Sequence, residues 1–157
     1  MKLLINLVFI NLFSMIFFIN IAFSYDEEDL KILLETNNCL NCDLSGADLR
    51  KQNLSNANLK GSNLNRVNLW RANLKNANLE GCSFQGANLK RTNLENTNLN
   101  KASFQWAIIR HAQMDGATAI NADFTKAGIK KTSFKLVILC NTKMKYGIDN
   151  SGCESEK

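Results

Sequence analysis

Five cysteines and one histidine are the residues whose types and spacing could support chemistry in this chain of 157 residues. Cys39 and Cys42 form a C-x-x-C pair, and Cys140 and Cys153 lie near the C-terminus. In an exported chain these two pairs predict short-range disulfides that hold the two ends of a domain. The alternative is a redox-active C-x-x-C, although such a motif usually opens a helix, whereas this one follows a predicted helix.

Neither a metal site nor a catalytic group is predicted. The two cysteine pairs are expected to lie roughly 24 Å apart, too far for one zinc ion. Cys82 occupies a small-residue position of a buried pattern, where a thiol behaves as a small hydrophobe. His111 follows Arg110, and a positive neighbour makes it a poor general base. No nucleophile, base and orienting group come together, so we expect no enzyme activity, no cofactor and no metal.

The element that must position these residues is a repeat of five residues. It runs twenty times from Cys42 to Asn141 without an insertion or deletion. The central residue of each copy, from Leu44 to Leu139, is Leu, Phe, Ile or Met except at Ala119, and the residue two before it is Ala in eleven copies. A period of five is neither helical nor that of a single strand, so it predicts a repeated coil.

The flanking segments complete a four-part organisation. Residues 1–24 combine Lys2, an apolar run and a small-residue site at Ala22-Phe23-Ser24, which predicts a signal peptide. An uncleaved membrane anchor is the alternative, because the run is about 20 residues long. Residues 25–41 predict a short capping helix and junction, 42–141 the repeats, and 142–157 a C-terminal cap and tail. The expected location is periplasmic, secreted or otherwise extracytoplasmic.

The repeated phrase A(N/D)Lxx, as in Ala57-Asn58-Leu59-Lys60-Gly61, resembles the signature of the pentapeptide repeat family. The resemblance implies an all-β solenoid, namely a right-handed quadrilateral β-helix with four repeats per coil and about five coils. Gly46, Gly61, Gly81 and Gly86 end their repeats, where tight bends explain them. The best-understood members of the family mimic DNA and bind type II topoisomerases.

A coil of twenty residues stacks residue n over residue n+20, which sorts the repeats into four faces. Phe84, Phe104 and Phe124 then form an aromatic ladder in the core of the first face. The two residues after each centre of the second face include eight basic residues and no acid, where chance predicts about 3.5 of the fourteen Lys and Arg of the repeats. These positions are Arg50, Lys51, Trp70, Arg71, Lys90, Arg91, Arg110, His111, Lys130 and Lys131.

This basic face has two interpretations. It is either a solvated wall that blocks edge association or a flat anion-binding face, on which arginines pair with phosphate or carboxylate and Trp70 adds an aromatic contact. The net charge of +5 favours anionic partners. Three functional hypotheses follow: an exported interaction scaffold that binds an acidic protein, anionic lipid or envelope polysaccharide; a structural spacer; and a topoisomerase-binding DNA mimic. Nucleic acid is not favoured as a partner, and self-association of rods is a further expectation.

Overall fold

The computed structural model describes residues 25–153, so the predicted signal peptide lies outside the described residues. Regular elements are few and short. They are α1 (Glu27–Thr36), β1 (Ile108–Arg110), β2 (Gly128–Lys130), β3 (Thr142–Met144) and β4 (Gly147–Asp149). Strands β1 and β2 pair in parallel, and β3 and β4 form an antiparallel hairpin. Most of the chain instead forms single parallel bridges between successive coils.

The bridges repeat every twenty residues along the repeat region. They run from Asn38 paired with Asn58 to Asp123 paired with Lys143. Backbone hydrogen bonds follow the same spacing, as where Leu44 N–H donates to Asn63 C=O at 2.9 Å. Each coil therefore contains four repeats, which makes the domain a quadrilateral β-helix, as the sequence predicts.

The corners of the coil are tight turns at the end of each repeat. Ala47 N–H donates to Leu44 C=O at 3.1 Å, and the residue before it, Gly46, has a φ of 76°. A positive φ at the third residue of a turn is typical of type II turns. Arg71, with a φ of 59°, adopts the same left-handed conformation. The corners thus accept long polar side chains as well as glycine.

The core is filled by the centre of each repeat and the residue two before it. The predicted aromatic ladder is parallel-stacked, with ring centroids 4.8 Å apart between Phe84 and Phe104 and 4.6 Å apart between Phe104 and Phe124. Ala119, where the large centre is missing, is still fully buried. Burial decreases in the last coil, where Phe134 is only half-buried.

Both ends of the coil carry a cap. The Asp26 carboxylate accepts hydrogen bonds from the first turn of α1, and Leu33 of this helix is fully buried in the core. At the other end the hairpin of β3 and β4 leads into a tail whose Gly152 N–H donates to Leu139 C=O at 2.7 Å. Within residues 25–153, no helix has the length and apolar character needed to cross a bilayer.

The structure joins the four terminal cysteines in the two pairs expected. Cys39 is bonded to Cys42 beside α1, and Cys140 is bonded to Cys153 in the C-terminal tail. The first disulfide ties the helical cap to the first coil, and the second holds the tail to the last coil. Each pair therefore fastens one end of the rod.

Candidate anion-binding site

The ten predicted site residues stack into one column, which we call the basic column. Its backbone is continuous from coil to coil: Lys51 N–H donates to Trp70 C=O at 3.0 Å, and Arg91 N–H donates to Arg110 C=O at 2.9 Å. The column lies along a corner of the rod rather than on a flat face. The reason is that the two residues after each centre are the middle residues of the turn. Long side chains at such an edge project away from the rod on two sides.

Three lysines on two of the other corners are paired with glutamates. Lys60 and Lys101 both contact Glu80, with nitrogen–oxygen distances of 2.9 and 3.7 Å, and Lys75 contacts Glu95 at 2.9 Å. The hydrogen bond from Lys60 lowers the pKa of Glu80. Each of these pairs joins residues in successive coils, so opposite charges lie next to each other at these positions.

Within the basic column one cation has an acidic partner. Arg50 Nε lies 2.7 Å from Asp48 Oδ1, and Arg50 Nη2 lies 2.6 Å from Asp48 Oδ2, a bidentate contact. This hydrogen bond lowers the pKa of Asp48 and raises that of Arg50. No salt bridge within residues 25–153 involves the other bases of the column. They are Lys51, Arg71, Lys90, Arg91, Arg110, Lys130 and Lys131.

Trp70 already contacts two of these cations. The Arg71 guanidinium carbon lies 4.5 Å from the centre of the indole ring, and Lys51 Nζ lies 5.5 Å from it. Such cation–π contacts fix the two cations beside the half-buried ring. A shallow depression runs along this side of the column. It is lined by Arg50, Asn68, Trp70, Asn88 and Lys90.

A second tryptophan borders the same face of the rod, and the sequence analysis did not single it out. Trp106 precedes Ile108 of β1 by two residues, while Arg110 of the basic column follows Ile108 by two. Its side chain is 62% exposed, and Lys126 Nζ lies 4.6 Å from its ring centre. The signal that could have identified it is the register itself, because Trp106 and Lys126 are twenty residues apart.

The cysteines offer neither a reactive thiol nor a metal ligand in this geometry. Cys82 is buried, its thiol contacts Leu59 C=O at 2.9 Å, and burial raises its pKa to about 12. A thiol of that pKa is a poor nucleophile at neutral pH. Asp29 lies within 4.8 Å of Cys39 and Cys42, but disulfide-bonded sulfurs are not the thiolates that bind metal. His111 is exposed on the basic column.

Comparison with known proteins identifies the repeat. A family profile described as pentapeptide repeats matches residues 42–81 and 77–114, in eight copies. Residues 42–114 belong to the pentapeptide repeat family. Proteins of this family form right-handed quadrilateral β-helices, so the predicted fold and its hand are confirmed. A comparison with curated protein sequences gives no match.

Solved structures of pentapeptide repeat proteins resemble this one. The cyanobacterial protein Rfr23 of Cyanothece 51142 is 26% identical, with a TM-score of 0.63 over 75% of this chain and 98% of Rfr23. A pentapeptide repeat protein of Nostoc PCC 7120 is 28% identical, with a TM-score of 0.56 over 68% of this chain and 85% of its own. A pentapeptide repeat protein from the Arabidopsis thaliana thylakoid lumen is 23% identical. Its TM-score is 0.51 over 73% of this chain and 70% of its own.

Proposed function

We propose that this pentapeptide repeat protein is a non-enzymatic, exported scaffold whose basic column binds an anionic partner. The observation that carries the proposal is the unequal distribution of ion pairs. Three lysines on two of the other corners contact Glu80 and Glu95, whereas seven bases of the basic column have no salt bridge within the described residues. Charges left unpaired in a single row are a surface to which an extended anion can bind.

The stacking of these bases raises the free energy of the unbound rod. Successive coils lie about 4.8 Å apart. Two like charges at that distance repel by about 1 kcal/mol in water, before salt screening and side-chain movement reduce the value. An anion placed along the column relieves this repulsion between several neighbours at once.

The chemistry of the column favours phosphate or carboxylate groups. Arg71, Arg91 and Arg110 occupy three successive coils, and a guanidinium pairs with such groups through two parallel hydrogen bonds. A linear ligand with charges at intervals of about 5 Å would contact one arginine per coil. Anionic lipid headgroups, envelope polysaccharide and acidic protein segments present such groups.

Export is the second part of the proposal. It is supported by the apolar run in residues 1–24 and by the two disulfides, which persist in oxidising compartments. A purely structural spacer is the second candidate function, and the uninterrupted ladder of bridges from Asn38 to Lys143 favours it. A DNA mimic must present acidic side chains, and this surface is basic.

The test measures binding to anionic vesicles and to soluble polyphosphate at a series of salt concentrations. The protein is purified from its source cell, so that it carries whatever processing it receives there. The decisive variant replaces five bases of the basic column with Gln. These are Arg71, Arg91, Arg110, Lys130 and Lys131. The matched control removes the same charge elsewhere in the repeats, at Lys60, Lys75, Lys101, Lys126 and Lys135.

We expect affinity to fall as salt rises, to drop about tenfold or more in the column variant, and to change little in the control. Equal losses in both variants would show that net charge rather than the column binds the anion. If the unmodified protein binds neither ligand, the basic column is only a solvated surface, and the structural spacer becomes the favoured function.

A further inference from the structure

The two ends of the rod carry opposite charge. At the N-terminal end, α1 and the two residues before it contain five acids and one base, Lys31. At the C-terminal end, the segment from Thr125 to Asp149 contains six lysines and one acid, Asp149. These lysines are Lys126, Lys130, Lys131, Lys135, Lys143 and Lys145. The rod is therefore polar along its axis.

The basic end also exposes large apolar side chains. Leu136 at the last corner of the third face is 89% exposed, Tyr146 at the tip of the hairpin is 91% exposed, and Ile148 of β4 is 61% exposed. The core beneath them is half-covered, since Ile129 and Phe134 are only partly buried. Apolar side chains gathered at one end of a soluble rod indicate an interaction surface.

The backbone of the last coil is open on the same side. The N–H groups of Lys131, Phe134 and Leu136 have no hydrogen-bond partner among residues 25–153, whereas the equivalent groups of earlier coils donate to the next coil. The tail covers only the corner near Leu139, through Gly152. An open coil with an exposed core is an edge to which further structure can add.

The acidic end is apolar in part as well. Ile32 and Leu34 on the flanks of α1 and Leu40 in the following turn are exposed. A shallow apolar depression lies beside the helix. It is lined by Tyr25, Glu27, Leu30, Lys31, Leu34 and Glu35. Acidic side chains thus surround apolar ones here, as lysines do at the opposite end.

We propose that copies of this chain associate head to tail, with the α1 end of one copy seated on the last coil of the next. The occupant is a second copy because the chain itself carries the complementary surface, acidic and apolar, at its other end. Contact between two basic ends would bring twelve lysines together, which like-charge repulsion opposes. A head-to-tail contact is not closed by symmetry, so it adds copies along the axis.

Head-to-tail association does not depend on anion binding by the basic column. It would nevertheless change how the basic column binds a long anion. A row of copies offers several columns to one long anion, and binding at a second column then takes place within the same complex. Avidity for a long polyanion should exceed that for a short one without any new contact.

The test is sedimentation velocity over a range of protein and salt concentrations. The protein is again purified from its source cell. One variant reverses the acidic end with Glu27→Lys and Glu35→Lys. Another reverses the basic end with Lys135→Glu and Lys145→Glu. Neither variant touches the basic column, and thermal melts confirm that each is folded. The four changes are then combined.

We expect the unmodified protein to associate more weakly as salt rises, each reversal alone to weaken association about tenfold, and the combined variant to restore it. Leu136→Gln should weaken association at every salt concentration, since it removes apolar contact. Three results would overturn the proposal: a monomer at all concentrations, weaker association after reversal of the basic end but not of the acidic end, or no recovery in the combined variant.

Discussion

The aromatic ladder of the first face allows a matched test of how successive coils hold together. Phe84, Phe104 and Phe124 are all fully buried, and their rings are parallel within 2°. Phe104 contacts a ring on each side, at 4.8 and 4.6 Å, whereas Phe84 contacts a ring on one side only. The same substitution at the two positions therefore removes two ring contacts in one case and one in the other.

The expected difference follows from the value of one ring pair. Phe104→Leu and Phe84→Leu remove similar apolar area from a fully buried position, so that part of the loss cancels between them. An aromatic pair contributes about 0.5–1.5 kcal/mol beyond its buried area. Phe104→Leu should thus lower the free energy of unfolding by about 0.5–1.5 kcal/mol more than Phe84→Leu.

Urea unfolding, followed by tryptophan fluorescence and by circular dichroism, measures this difference. The dependence of the free energy on urea should be the same in both variants, since the surface exposed on unfolding is nearly unchanged. If Phe84→Leu costs as much as Phe104→Leu or more, ring stacking does not stabilise the rod, and the phenylalanines act only through their volume.

Three further predictions concern the surface and the cysteines. Asp48→Asn should tighten polyphosphate binding by up to about fivefold, because it releases Arg50 from its ion pair. Protonation of Asp48 at low pH should also tighten polyphosphate binding. Arg50 lowers the pKa of Asp48, so the pair is intact above the usual carboxyl pKa and is lost as pH falls through the folded value. Iodoacetamide at neutral pH should leave Cys82 unmodified in the folded protein and alkylate it in denaturant, because burial raises its pKa to about 12; labelling of the folded protein, read by mass spectrometry, would contradict this. Reduction of Cys140–Cys153 should expose the tail after Leu139 to limited proteolysis and leave the repeats intact, and cleavage within the repeats would show that the disulfide holds more than the tail.

Most of the fold could be predicted because one register repeats without interruption. The centres from Leu44 to Leu139 and the small residues two before them recur at a period of five, which predicts a repeated coil. The resemblance to the pentapeptide repeat family implies four repeats in each coil. The pairing of residue n with residue n+20 then fixes which side chains meet. The aromatic ladder and the column of bases both follow from it.

The details that could not be predicted depend on side-chain reach rather than on register. Asp48 precedes its centre, yet its carboxylate reaches Arg50 beyond the centre. Gln52 occupies an inward position of the phrase but is exposed. Ser62 and Thr92 at the same position of their repeats are buried, because their hydroxyls donate to backbone carbonyls. The hairpin of β3 and β4 lies beyond the last repeat, where the period no longer applies.

The sequence predicts a flat basic face, but the basic column lies at a corner. The two residues after each centre are not part of a flat wall, because they are the residues that turn the chain. Sequence period alone does not distinguish an edge from a face. The left-handed conformation of Lys51, Arg71 and Arg91 does.

The period of twenty residues also governs how such a rod can change length. Removing twenty residues would delete one coil and shorten every column by one residue pair, leaving all columns aligned. Removing five would instead rotate everything that follows by a quarter turn, so that the bases after the deletion would continue under a different corner. A stripe of charge confined to one corner over five coils is therefore preserved only when length varies by whole coils.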